Sequence, residues 1–189
     1  MQNALKCALL ATLLWACEET VIPKPRGYYR IDFPQKQYLE YRGSCPFIFS
    51  YPFRSLLDTA MGNNQYPCWM NLHYPQYAAT IHITYHDIQS ADLSQYIEDA
   101  RKLALKHLVR ADDISEQMFR HPERAVYGVV YDLEGGSASN YQFFLTDSVS
   151  KFLRGSMYFN LPPNPDSIAP VNTYIKEDLK YFIESFRWR

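Results

Sequence analysis

The chain has 189 residues, with 19 Lys and Arg against 20 Asp and Glu and a formal net charge of −1. A nucleic-acid binder carries a basic patch or stripe, and a polybasic membrane-surface protein carries a run of Lys and Arg; this sequence has neither. Its 16 Tyr and 11 Phe suit half-exposed sheets and protein interfaces, because the ring buries a large apolar body while the Tyr hydroxyl stays satisfied. The plainer reading of that content is a β-rich domain with aromatic faces.

At the N-terminus an apolar run, Ala8 to Trp15, follows Lys6, the one charged side chain among the first 16 residues. That is the layout of a secretory leader, and the run is shorter than the roughly 20 apolar residues a membrane span needs. Leu14-Trp15-Ala16-Cys17 then places a small residue before a cysteine, the pattern at which bacterial lipoprotein precursors are cleaved. The expectation is that Cys17 becomes the first mature residue and carries lipid on its sulfur, the thiolate being the nucleophile. A diacylglyceryl group and a third acyl chain such as palmitate hold more stably than one chain alone. The alternative is an ordinary signal peptide, with Cys17 kept as a structural thiol. Residues 1–16 are thus read as a lipoprotein signal peptide, 17–27 as the lipidated Cys17 with a tether, and 28–189 as a single domain. Loss of the leader leaves 173 residues at a net charge of −2, enough for one domain with a real core. Pro23 and Pro25 stiffen the tether, which at about 3.1 Å per residue spans roughly 30 Å. Glu18 is not the Asp that marks inner-membrane retention in some bacteria, which favours the outer membrane; acidic residues just after the cysteine also act as surface-export signals in related bacteria, and the inner membrane is the alternative.

Four cysteines are present. With Cys7 lost and Cys17 lipidated, Cys45 and Cys68 remain, an even pair in an oxidising compartment. A Cys45–Cys68 disulfide is expected, closing a loop that contains Leu56 to Gln65, the least periodic part of the domain; two free buried thiols are the alternative. The spacing is not a zinc pattern, and there is no Cys-x-x-Cys redox pair.

Within the domain, Tyr28 to Phe33 predicts a first strand stopped by Pro34, and Gln37 to Tyr41 a short second one. Pro46 to Phe53 places Phe47, Phe49, Tyr51 and Phe53 on alternate positions, one face of a strand, read as a core face before an aromatic binding stripe. Trp69 to Tyr74 and Ala79 to Tyr85 predict a hairpin around Pro75-Gln76. In its second arm Ile81, Ile83 and Tyr85 alternate with Thr80, His82, Thr84 and His86. His82 and His86 have metal-pair spacing only on a helix; on a strand they lie roughly 13 Å apart, so a solvated face is expected there. Asp92 to about Arg110 predicts a helix capped by Asp92 with Gln95 as capping-box partner, and with Leu93, Ile97, Ala100, Ala104 and Leu108 on its apolar stripe. Ala111 to Met118 is read as a second short helix. Ala125 to Leu133 and Asn140 to Leu145 predict strands joined through Gly135-Gly136, followed by a third, Gly155 to Leu161. Pro162-Pro163-Asn164-Pro165 breaks structure. Asp166 or Ser167 then caps a last helix to about Phe186, with Ile168, Val171, Ile175, Leu179, Phe182, Ile183 and Phe186 on its buried face. The order predicts an α+β domain, an antiparallel β-sheet flanked by helices, and is similar to the PsbP-like α/β/α sandwich.

No catalytic motif stands out. A nucleophile needs a neighbouring base and an orienting group, and there is no Gly-x-Ser-x-Gly elbow. Ser137 or Ser139 with His82 or His121 and Asp147 can be assembled only on paper. Asp112-Asp113 with Glu134 is not a metal loop. No catalytic, cofactor or metal residues are therefore assigned.

Several segments read together carry a resemblance. In order they are Pro25-Arg26-Gly27-Tyr28, Cys45-Pro46-Phe47, Cys68-Trp69, Ala79-Thr80-Ile81, Ala138-Ser139 through Gln142-Phe143, and Thr146-Asp147-Ser148. Gly155-Ser156-Met157-Tyr158-Phe159, Pro163-Asn164-Pro165-Asp166-Ser167-Ile168 and Arg187-Trp188 complete the set. With the lipobox, this resembles the gliding motility lipoprotein GldD family. The resemblance implies a non-catalytic envelope lipoprotein that supports the gliding and type IX secretion machinery, with membrane and protein partners and no nucleic acid. It carries no catalytic residues. The exposed faces of the Phe47–Phe53 and Ile81–Tyr85 strands and the Gly135–Asn140 loop are the candidate contact surfaces. The rival readings are an envelope carrier for an apolar ligand and an envelope hydrolase.

Overall fold

The structure is a computed structural model, and it describes residues 30–63, 65–89, 92–161 and 165–189, without the side chains of 165 and 166. The leader, Cys17, the tether and the 162–164 break lie outside the described residues. Residues Ile31–Arg189 form one compact unit; the other unit, Met1–Arg30, lies outside the description apart from Arg30.

The strands are β1 (Tyr38–Tyr41), β2 (Phe47–Pro52), β3 (Leu56–Asp58), β4 (Met70–Tyr74), β5 (Ala79–Asp87), β6 (Ala111–His121), β7 (Val126–Gly135), β8 (Tyr141–Thr146), β9 (Lys151–Phe159) and β10 (Arg187–Trp188). The α-helices among the described residues are α1 (Leu93–Leu105) and α2 (Pro165–Ser185). A three-stranded sheet runs β1-β2-β10 and a seven-stranded sheet runs β3-β4-β5-β9-β8-β7-β6. Every pairing is antiparallel. The fold is α+β, as the order of elements predicts.

Strand alternation divides the core between the two faces of the long sheet. Ile81, Ile83, Phe143, Leu145, Leu153 and Met157 point to one face, where they pack with Val171, Ile175, Leu179, Phe182 and Phe186 of the C-terminal helical segment. Phe47 and Phe49 of β2 join them; Phe49 lies 4.4 Å from Phe182 and Phe186 lies 4.7 Å from Trp188. Each such ring pair adds about 0.5–1.5 kcal/mol beyond burial. On the other face Ala100 and Ala104 of α1 pack with Tyr131, Leu133, Phe144 and Phe152. The α1 connection carries the chain from β5, inside the sheet, to β6 at its far edge. Cys45 and Cys68 are bonded, with Cα atoms 5.7 Å apart. The bond joins the start of β2 to the start of β4, and so one sheet to the other.

Several expectations fail for physical reasons. Ala111 to Met118 is not a helix but the first part of β6, zipped to β7 over ten residue pairs; Asp, Ile and Ser are weak helix formers, and the hairpin supplies partners a solvent-facing helix turn lacks. Arg30 to Phe33 forms no strand, because Phe33 instead stacks on Tyr174 at 4.5 Å. The loop containing Leu56 to Gln65 holds a strand, β3, paired with β4. Asp92 makes no side-chain cap, and Gln95 donates to Asp99 at 2.8 Å instead. α2 begins at Pro165, a favoured first helical residue, so Asp166 and Ser167 lie inside its first turn and do not precede it. Two hairpins share one turn: Pro75–Tyr77 and Pro122–Arg124 are each a single 3-10 turn ended by an alanine with positive φ, Ala78 and Ala125.

Candidate functional site

The residues of the paper hydrolase are not brought together. Ser137 and Ser139 are buried in the loop after β7, where the Ser137 hydroxyl donates to the Ser139 carbonyl at 3.1 Å and accepts the Ser139 N–H at 3.2 Å. Asp147 lies beyond the other end of β8, roughly 25 Å away at strand spacing. There it accepts N–H groups from Val149, Ser150 and Lys151 at 2.9, 2.8 and 2.9 Å, a turn-forming role. His121 belongs to the Asp147 end, since its partner Val126 adjoins the Tyr127–Thr146 pair. His82 bonds Asn71 Oδ1 through Nδ1 at 2.8 Å, while the His86 ring packs among Tyr66, Trp69 and Tyr96. Among the described residues no group of three or more His, Cys, Asp or Glu is placed to hold a metal ion.

The candidate contact surfaces are placed unevenly. In β2, Phe47 and Phe49 are core residues, and Phe53, past the strand, is 59% exposed. The Gly135–Asn140 loop has Ser137, Ser139 and Asn140 buried, so it offers little surface. The outward side of β5 is open at His82 and partly open at Thr84 and His86.

Two polar clusters stand out from the apolar frame. The first centres on Asp178, which is 2% exposed and lies on the apolar stripe of α2 between Ile175 and Leu179. Its Oδ1 accepts Lys36 Nζ and the Tyr38 hydroxyl, both at 2.9 Å, and its Oδ2 accepts the Tyr74 hydroxyl at 3.4 Å. Lys36 also donates to the Tyr174 carbonyl at 2.7 Å and lies 4.2 Å from the Tyr174 ring centroid. The Tyr174 hydroxyl donates to the Pro34 carbonyl at 3.2 Å. Burial, then the bond to Asp178, pushes the Tyr38 hydroxyl above its ordinary range. Burial and the Asp178 charge do the same to Tyr74. A cleft of about 150 Å³ opens beside this cluster, lined by Lys36, Phe53, Arg54 and Asp178 among others. The whole arrangement clasps residues 33–38 to α2 and β4.

The second cluster needs the strand register. Glu116, Tyr131, Gln142, Ser156, His82, Asn71 and Asp58 are successive partners across all seven strands. Directly paired residues share a face, so they form one transverse polar row on the α1 side of the sheet. Tyr131, Gln142, Ser156 and Asn71 are buried. Arg154, diagonal to Gln142, donates from Nη2 to Gln142 Oε1 at 2.5 Å. Tyr158 lies beside His82 and His107, with ring centroids 5.5 and 6.0 Å away. Burial, then the His73 charge, lowers the His82 pKa; burial, then Arg154, lowers that of His107.

Sequence reasoning passes over both clusters. An acid on the apolar stripe of a helix is the one legible signal for Asp178. Arg154 and Gln142 give none until β8 and β9 are in register.

The family model for the gliding motility lipoprotein GldD matches residues 18–188. The chain belongs to this family. Among curated proteins none matches the GldD-family chain. Its fold is similar to the solution structure of cyanobacterial PsbP (CyanoP) from Synechocystis sp. PCC 6803, with a TM-score of 0.47 and 8% identity over 85% of this chain and 98% of that one. As a member of a gliding motility lipoprotein family the protein is associated with the cell envelope. No described helix of this GldD-family protein is long and apolar enough to cross a membrane.

Proposed function

We propose that the protein is a non-catalytic accessory or scaffold component of the gliding motility and type IX secretion machinery. In this reading lipid on Cys17 holds it to the outer membrane, Glu18 to Gly27 is the tether, and the domain meets protein partners of the machine. The observation that carries it is the family match across residues 18–188. The Asp178 clasp supports it physically. It fastens the segment just after the tether to α2 through a buried carboxylate, two tyrosines and a lysine, so that a pull on the anchor is passed to the core. The open side of β5 and the long edge strand β6, where Met118 is 78% exposed, are surfaces on which partners can dock. Unpaired strand edges readily template such contacts.

The test is a clean deletion scored for surface spreading and for secreted cargo, complemented with the intact gene and with Cys17→Ala. Loss of either trait, restored only by the lipidatable form, is the expected result. Survival of both traits after deletion overturns the reading. Rescue by Cys17→Ala removes the anchor from it.

A further inference from the structure

We propose that the polar half of the α1-side face is a binding site for a small oxyanion, a phosphate or carboxylate group, held by Arg154 and framed by Gln142, Ser156, His82, His107 and Tyr158. The assignment goes beyond the motility reading and does not depend on it.

Among the described residues Arg154 has no counter-charge. Its side chain is partly buried and its one hydrogen-bond partner among the described residues is the neutral amide of Gln142. None of the described ion pairs includes it. Buried charges are ordinarily paired, because leaving water without a partner is costly. A guanidinium has five N–H donors in a rigid fork, and four of these are left over. Burial depresses the Arg154 pKa, with only the Tyr158 hydroxyl opposing.

The amide it holds is half satisfied. Gln142 is 1% exposed; its Oε1 takes Arg154, and its Nε2 donor has no partner. A buried unpaired donor is rare and calls for an acceptor. Its neighbours add positive character, not negative. Burial, then Arg154, opposes protonation of His107, which favours a neutral ring beside the guanidinium, and the added positive character comes from the two exposed basic residues of the same 3-10 turn, Lys106–Arg110. The acids at the ends of the polar row are engaged elsewhere: Glu116 pairs with Arg101 and Asp58 accepts the Ala60 N–H. Ser156 stands between Gln142 and His82 in the row. His82 donates Nδ1–H to Asn71 Oδ1, so Nε2 of the neutral ring is an acceptor, and the ring borders the site without donating to it. Donors gathered round an unpaired guanidinium, with no carboxylate among them, complement an oxyanion, which the Arg fork grips with two parallel bonds.

The experiment uses the full-length protein in detergent, isotope-labelled at histidine, and follows the His82 and His107 ring signals by NMR. Inorganic phosphate and succinate are titrated separately, against sodium chloride at matched ionic strength. Saturable displacement of both ring signals by at least one probe, absent with chloride, is expected. Arg154→Gln should weaken that binding roughly tenfold or more, and Arg154→Lys, which keeps the charge but loses the fork, severalfold. No saturable shift beyond chloride with either probe overturns the proposal, as does a folded Arg154→Gln protein that binds like the parent. If Arg154→Gln does not fold, Arg154→Lys and Ser156→Ala decide: parental affinity in both overturns it, and weakened binding in either supports it.

Discussion

Lys36 Nζ and Asp178 Oδ1 meet at 2.9 Å across 142 residues of sequence. One end of this contact lies in the segment that leads into β1 and the other in the last helix. The carboxylate is almost fully enclosed, the ammonium is partly open, and Glu177 offers Lys36 a second oxygen at 3.1 Å. A buried carboxylate on an apolar helix face is expensive alone; here three donors meet it, so its energetic weight lies in what happens when the set is broken.

Replacing Asp178 with Ala leaves Lys36, Tyr38 and Tyr74 without their shared acceptor. Removing one partner of a buried, hydrogen-bonded charge pair typically costs about 3–5 kcal/mol. Because the Lys36 side chain is 23% exposed, the lower end of that range, about 3 kcal/mol, is expected. Urea denaturation measures it, and trypsin cleavage after Lys36 should accelerate as the clasp opens. A loss under about 0.5 kcal/mol, within the range of ordinary surface changes, would show that the clasp holds nothing.

The Cys45–Cys68 bond ties the two sheets together, and the residues it joins are 23 apart. A loop of this size is worth about 3 kcal/mol in the chain-entropy view. The Cys45→Ser, Cys68→Ser double variant should therefore lose about that much, and reduction of the parent should shift its melting temperature the same way. An identical melting curve in reductant would count against the disulfide as a structural bond.

How far the sequence reveals this architecture depends on whether each element has one buried face. Phe47 and Phe49, the Ile81-Ile83-Tyr85 set and the stripe from Val171 to Phe186 all face the core, and their periodicity exposes β2, β5 and α2 at once. β6 is an edge strand with Ser115 through Met118 all exposed, so its period-2 signal is erased and its charged residues mimic a solvated helix. β3 has three residues, and its Leu56 is 62% exposed. The polar row is invisible for a different reason. It exists only once seven strands from Asp58 to Ser156 are in register, which is a property of the assembled sheet and of no local window.

Gly155 shows how close the α2-side face is to full packing. A Cβ there would meet the Phe143 ring at 2.2 Å, and Phe143 is 1% exposed and 5.6 Å from Phe182. The ring cannot swing away without disturbing the central core. Gly155→Ala should cost about 1–3 kcal/mol, the usual range for overpacking. Adding Phe143→Leu should recover part of that loss, because the two sites share one space. The check is a double-mutant cycle by urea unfolding; strictly additive losses would show that the ring is not what the methyl strikes.

Asp147 sets the acid side of the stability profile. Burial pushes its carboxyl up, but the N–H groups of Lys151, Val149 and Ser150, with the Lys151 charge, outweigh that and hold it below its ordinary range. A group whose folded pKa is depressed contributes stability that is present above its unfolded pKa, about 3.9, and is lost as pH falls through the folded value. The parent should therefore exceed Asp147→Asn in urea midpoint at neutral pH, and the gap should close as pH falls from about 5 towards 2. The Asn side chain can still accept from this turn through its oxygen, so the part of the gap that closes with acid reports the charge and not the bond count. A gap that is the same at both ends of that range would place the stabilisation in turn geometry alone, and the β8–β9 connection would then carry no acid sensitivity.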